Sequence, residues 1–211
     1  MIGHYRWAGG QEALLRFGPD DGPVVVVLLP LFEELNRTRA FGVSILRALA
    51  RRGLAGVLPD LPGQVDSLVY TEKLCPTDLQ QAVSDLAQSL AGPVFGVAIR
   101  SGALFDAALP RRWHLSPQTG AELARALQRL RKLGDGISFA GNTLPDDLLA
   151  AIEATPLTPA QRTVRLEGDS APADLHLPGA PLWHRAEPDN DPDLAEQLAA
   201  DIYHWVQACA G

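Results

Sequence analysis

Residues 96–105 read GVAIRSGALF. Together with Pro93, Val94 and Phe95 the first half is a continuous apolar run of strand length, and the second half opens like a helix. Small residues flank the junction: with Arg100 at the centre, Ala98 and Gly102 stand two places before and after it. With Ser101 at the centre the flanks become Ile99 and Ala103, and Ile99 is bulky for a tight strand-to-helix turn. The Arg100 register therefore fits better. Whatever stands at such an apex is presented at the end of a strand, and here that residue is an arginine.

Working outward, the same unit recurs. Val24 to Leu29 (VVVVLL) forms a buried strand, and RAFGVSILRALARRG (39–53) sets Phe41, Ile45, Leu46 and Leu49 on one helical face before the stop at Gly53. LAGVLPDLPG (54–63) is the next strand, followed by a helix from Thr77-Asp78 carrying Leu79, Val83, Leu86 and Leu90. The short stretch GALFDAAL (102–109) reads as a helix. Thr119 and Glu122 form a capping box ahead of Leu123, Leu127, Leu130 and Leu133. GISFAG (136–141), TVRLEG (163–168) and PLWHRAE (181–187) are later strand candidates. Asp191 and Pro192 open a terminal helix with Leu194, Leu198, Ile202 and Trp205 inward. The N-terminal HYRWAGGQEALLRFGPDDGP (4–23) reads as a hairpin turning at Gly9-Gly10.

Strands alternating with helices require crossover connections. The expected fold is α/β, a doubly wound, mostly parallel sheet with helices on both faces. At 211 residues and 46% hydrophobic composition, without a linker tract, the chain predicts one domain over 1–211. Its formal net charge of −7, with no dense basic stripe, argues against a nucleic-acid surface. Cys75 and Cys209 follow no metal or disulfide spacing, and no two histidines share a ligand spacing, so neither a metal nor a cofactor is expected. VVVVLLPLF is too short to span a membrane, and no basic segment precedes an apolar core at the start; these features imply a cytoplasmic protein.

A ligand site in such a sheet belongs at the carboxyl ends of the strands, in the loops at Pro30, Asp60, Ile99 and Asn142. The loop PLFEELNRTRAF (30–41) offers the backbone N–H groups of Leu31 and Phe32 as an oxyanion hole, with Glu33, Glu34, Asn36, Arg37 and Arg39 beside them. Asp60 ends a strand before the Pro62-Gly63 turn. The apex at Arg100 occupies the nucleophile position of an elbow, where arginine cannot attack a carbonyl but binds a carboxylate or phosphate through two parallel hydrogen bonds. Ser101 is the neighbouring hydroxyl. Asp169, in LEGDSA, stands where the acid of a triad is often found, while His176, His184 and His204 are later histidines that complete no visible triad.

These loops, in this order, resemble the α/β-hydrolase superfamily, and specifically the second type of exosortase A system-associated hydrolase. The resemblance is carried by LPLFEELNRTRAF with LRALARRGLAGVLPDLPGQVDS, then GVAIRSGALF, GISFAGNTLPDDLLAAIEA and PLWHRAEPDNDPDLAEQLA. It implies an α/β-hydrolase-like fold with a small or absent cap, and an arginine-containing elbow in place of Gly-x-Ser-x-Gly. It also implies association with extracellular-polysaccharide and protein-sorting systems. The chain departs from the pattern between Arg162 and Pro181, where little room remains for a helix, and in carrying His184.

Two expectations stand side by side. In one, the protein hydrolyses an ester or thioester with Ser101 as nucleophile, Leu31 and Phe32 as oxyanion donors and Glu33 or Glu34 as base. In the other, Arg100, Arg39, Asn36 and a glutamate form a polar network that holds an anionic small molecule without catalysis.

Overall fold

A computed structural model describes residues 1–133, 138–139 and 142–210. The chain opens with β1 (Ile2–Trp7) and β2 (Gly10–Phe17), an antiparallel hairpin in which Trp7 pairs with Gly10. Next come β3 (Val24–Leu28), α1 (Glu33–Arg51), β4 (Ala55–Pro59), α2 (Pro76–Ser89), β5 (Val94–Ile99), β6 (Arg112–Leu115) and α3 (Gly120–Leu133). The two-residue strands β7 (Ser138–Phe139) and β8 (Asn142–Thr143) pair with each other, and α4 (Asp146–Ala154), β9 (Arg162–Leu166), β10 (Leu175–Leu177) and α5 (Pro192–Ala210) complete the order.

Eight strands form one sheet in the order β1-β2-β4-β3-β5-β6-β9-β10, with every pairing from β4 to β10 parallel. Every residue of β3, β4 and β5 is buried. Their lack of any charged or polar side chain follows from having helices on both faces. Successive side chains of β3 divide between two cores, as strand geometry requires. Val24, Val26 and Leu28 pack with α2, α3 and α4, whereas Val25, Val27 and Leu29 pack with α1 and α5.

The helix ends obey their sequences. Thr119 N–H donates to Glu122 Oε2 (2.8 Å) and Glu122 N–H to Thr119 Oγ1 (3.2 Å), closing the capping box. Asp191 Oδ1 accepts from Leu194 N–H at 3.0 Å.

Two local expectations differ from the structure. GALFDAAL forms no helix beyond the single 3-10 turn Arg100–Leu104. PLWHRAE is not a strand: Leu182–His184 is a 3-10 turn whose buried Leu182 and Trp183 pack against α1, and the last strand is instead β10. RWHL, to which the sequence analysis assigns no element, is β6. The candidate strand GISFAG lies mostly outside the described residues. Among the described residues no helix is long and apolar enough to cross a membrane.

Candidate functional site

The elbow is built by β5 running into a residue with positive φ. Arg100 has φ 55, a conformation that costs a non-glycine side chain energy and is kept only where its surroundings enforce it. The enforcement is visible at Gly102, where a Cβ would stand 2.5 Å from Leu28 O and 2.8 Å from Leu29 O. The turn is pressed against the end of β3, and only glycine allows that approach.

Arg100 is the apex, and its fork meets Glu34: Nε to Oε2 at 3.2 Å and Nη2 to Oε1 at 3.4 Å. Nη1 donates to Ser116 O at 3.4 Å, and the guanidinium carbon lies 5.1 Å from the Trp183 ring centroid. Arginine and glutamate side chains are 16% and 20% exposed, so the pair sits at the inner wall of a cleft rather than in open solvent.

Ser101 does not face that cleft. It is fully buried, and its Oγ accepts the Leu31 N–H at 3.0 Å. The Phe32 N–H is also engaged, donating to Gln64 Oε1 at 2.9 Å. Both N–H groups expected as oxyanion donors thus have side-chain partners from neighbouring loops. Glu33, offered as a base, is instead ion-paired with Arg37 one turn along α1.

The anticipated network of Arg100, Arg39, Asn36 and a glutamate is two separate arrangements. Arg39 Nη1 donates to Asp60 Oδ1 at 2.6 Å and pins α1 to the end of β4, while Asn36 is exposed. Burial pushes the Asp60 carboxyl up, with Arg39 opposing it. Glu12, beside it and 4% exposed, is likewise pushed up by burial while Ser67 donates to its Oε1.

The cleft above Arg100 has a volume of about 700 Å³ and is walled by α3 on one side and the loops after β9 and β10 on the other. Asp169 follows β9. Burial raises its carboxyl, but Ala171 N–H, Arg165 and the more distant Arg100 outweigh that, and it lies below the ordinary aspartate range. Its Oδ2 accepts from Arg165 at 2.6 Å and its Oδ1 from Ala171 N–H at 3.0 Å. His184 ends the 3-10 turn after β10 and lines the same cleft, exposed, with its ring 6.2 Å from that of Trp183. Among the described residues Asp169 and His184 share no hydrogen bond. His176 bonds Ala171 O at 3.2 Å and His204 is exposed on α5, both outside the cleft lining.

Sequence reasoning missed four residues around this turn. Gln64 hides in a turn motif, and its role appears only across a separation of 32 residues. Ser116 follows a strand that the sequence conceals. Asp106 and His114 form a buried pair behind the elbow, Oδ2 to Nε2 at 2.7 Å, each no more than 1% exposed, with burial pushing the aspartate up.

One backbone pattern sets this edge apart. Among the described residues the non-glycine positions with positive φ are Phe32 (60), Val65 (51), Arg100 (55) and Ser116 (43). They follow β3, β4, β5 and β6 in turn, so strain gathers at the carboxyl ends where ligands of open α/β sheets bind. Among the described residues no group of three His, Cys, Asp or Glu side chains is placed to hold a metal.

This sheet order, with helices on both faces, is that of the α/β-hydrolase fold. No protein-family model and no curated protein matches the chain. Among solved structures it is similar to Est1E from Butyrivibrio proteoclasticus, at 14% identity and TM-score 0.68 over 98% of this chain and 99% of that one. It is similar also to the thioesterase domain from the curacin biosynthetic pathway (17%, TM-score 0.60, 96% and 98%). A third likeness is to the bottromycin epimerase BotH in complex with bottromycin A2 (14%, TM-score 0.54, 94% and 98%).

Proposed function

We propose that this protein is a binding protein on an α/β-hydrolase fold, holding a small anionic ligand in the cleft above Arg100 without hydrolysing it. The observation that carries the reading is the elbow itself. Its apex is a permanently protonated arginine, and the adjacent hydroxyl of Ser101 is buried and occupied by Leu31 N–H. A serine needs a base within about 2.6–3.2 Å, or one water away, to become a nucleophile. Ser101 has a backbone donor there instead. A fold shared with an epimerase as well as a thioesterase does not by itself fix a reaction.

The resemblance to exosortase A system-associated hydrolases supports the arginine elbow as a built feature and a role beside extracellular-polysaccharide and protein-sorting systems. The acidic composition and the unpaired cysteines Cys75 and Cys209 support a cytoplasmic location. A second reading, ester or thioester hydrolysis, is favoured by one observation: Asp169 and His184 follow the last two strands and line the same cleft as Arg100. In that reading His184 activates water directly and Ser101 is bypassed.

The two readings part in one experiment. Purified protein is expected to turn over p-nitrophenyl butyrate and butyryl-CoA no faster than Ser101→Ala and His184→Ala, with a fluorophosphonate probe leaving Ser101 unlabelled. Turnover that His184→Ala abolishes would establish the second reading. Stoichiometric labelling lost in Ser101→Ala, with loss of turnover, would make the protein a serine hydrolase.

A further inference from the structure

We infer that the anion taken by this cleft is amphipathic: its charged head lies between Arg125 and Arg129 of α3, and its apolar tail runs along Ala126, Leu130 and Leu157. The inference rests on the binding reading above and names the class of ligand.

The charges of the cleft lead to it. Three arginines on its walls are already matched, Arg37 with Glu33, Arg100 with Glu34 and Arg165 with Asp169. Glu122 is committed to the Thr119 capping box and lies below its usual range, chiefly through the Thr119 N–H. Arg125 and Arg129 remain. Both are exposed, both line the cleft, and among the described residues neither has an ion-pair or hydrogen-bond partner; Arg125 acts on Glu122 only at longer range. The wall thus carries an unmatched cationic pair in a chain whose formal net charge is −7.

Their spacing gives the pair a use. Residues four apart on a helix are neighbours, about 5–6 Å between Cβ atoms, and like charges held so close repel unless an anion sits between them. Two guanidinium forks at that distance suit the oxygens of one carboxylate or phosphate. Arg100 is the poorer seat for the head, because an incoming anion there must displace the carboxylate of Glu34. The tail follows from the apolar residues that line the cleft together with the arginines. Ala126 and Leu130 are half-buried on the same helix, Leu157 is half-buried in the same lining, and Leu127 is buried. A volume of about 700 Å³ falls within the range of small-ligand sites, roughly 300–1,000 Å³.

The test is calorimetric titration of the full chain with decanoate and decyl phosphate below their micellar concentrations, with decanol and acetate as headless and tailless controls. Decanoate or decyl phosphate is expected to bind at least about ten-fold tighter than either control, the better of the two naming the head group. The Arg125→Ala/Arg129→Ala variant, altered only at exposed positions and checked for unchanged circular dichroism, is expected to lose about ten-fold or more in affinity. Substituting lysine at both positions should restore part of it. Binding to the double variant at wild-type strength overturns the inference. If Arg100→Ala then weakens binding, the cleft still holds an anion and only the head's position is wrong. If no amphiphile binds, or no variant alters binding, the inference falls, while the binding reading stands or falls on the turnover experiment above.

Discussion

Replacing Gly102 with valine is expected to destabilise the fold by about 3 kcal/mol or more, a large share of the roughly 5–15 kcal/mol that holds an ordinary domain together. The cause is not helix propensity or lost flexibility. A Cβ at this position meets Leu28 O at 2.5 Å and Leu29 O at 2.8 Å, distances at which one of the atoms must move. Leu28 ends β3, which is paired with β4 on one side and β5 on the other, so the carbonyls have nowhere to go. The elbow must yield instead. Pushing it away breaks the bond from Leu31 N–H to Ser101 Oγ and withdraws Arg100 from Glu34. Urea denaturation of Gly102→Ala and Gly102→Val would show a graded loss. Midpoints for both within about 0.5 kcal/mol of wild type, the spread of ordinary surface substitutions, would mean that the elbow is not pressed on β3 as described.

The second large effect lies behind the elbow. His114→Leu is expected to cost about 3–5 kcal/mol, because it leaves the Asp106 carboxylate buried without its partner. Asp106 is fully buried, its Oδ1 has no hydrogen-bond partner, and its Oδ2 depends on His114 Nε2 at 2.7 Å. The pair as a whole is a different matter. Two charges or dipoles removed together take their desolvation cost with them, and apolar replacements of similar volume are often neutral. The double variant Asp106→Leu/His114→Leu should therefore recover most of what the single variant loses. A double-mutant cycle measures this directly. Strictly additive losses would show that the two side chains act independently and that the short contact contributes nothing of its own.

How much of this was legible in the sequence depends on the range over which each feature is encoded. The elbow register followed from local sterics alone: Ala98 and Gly102 fit the flanks and Ile99 does not. The capping box and the terminal helix are likewise written within four residues. The strands β6 and β10 were not readable, because four and three residues are too few to establish a period and each carries a histidine or arginine amid its apolar positions. PLWHRAE looks extended but forms a turn in which Leu182 and Trp183 are buried and Arg37 Nη1 donates to the Trp183 carbonyl at 2.9 Å.

The polar run from Glu33 to Arg39 shows a different limit. Its residues are adjacent in sequence, yet a helix turns about 100° per residue, so Glu34 and Arg39 leave α1 in different directions. One meets Arg100 and the other Asp60. Sequence proximity suggested a single network, and helical geometry divides it. Gln64 and Ser116 had no local signal because their partners come from other strands' loops.

The four left-handed residues at the sheet's carboxyl edge also bear on how this molecule can be engineered. Backbone strain of this kind costs of order 1–3 kcal/mol per residue, and glycine at the same positions would remove most of it. A search for heat-resistant variants is thus drawn to Phe32, Val65, Arg100 and Ser116, where relief is largest. Two of them, Phe32 and Arg100, also line the cleft. Thermostability and ligand capture are set against each other at these positions, so variants selected only for surviving heat will tend to arrive with a slacker, less discriminating pocket.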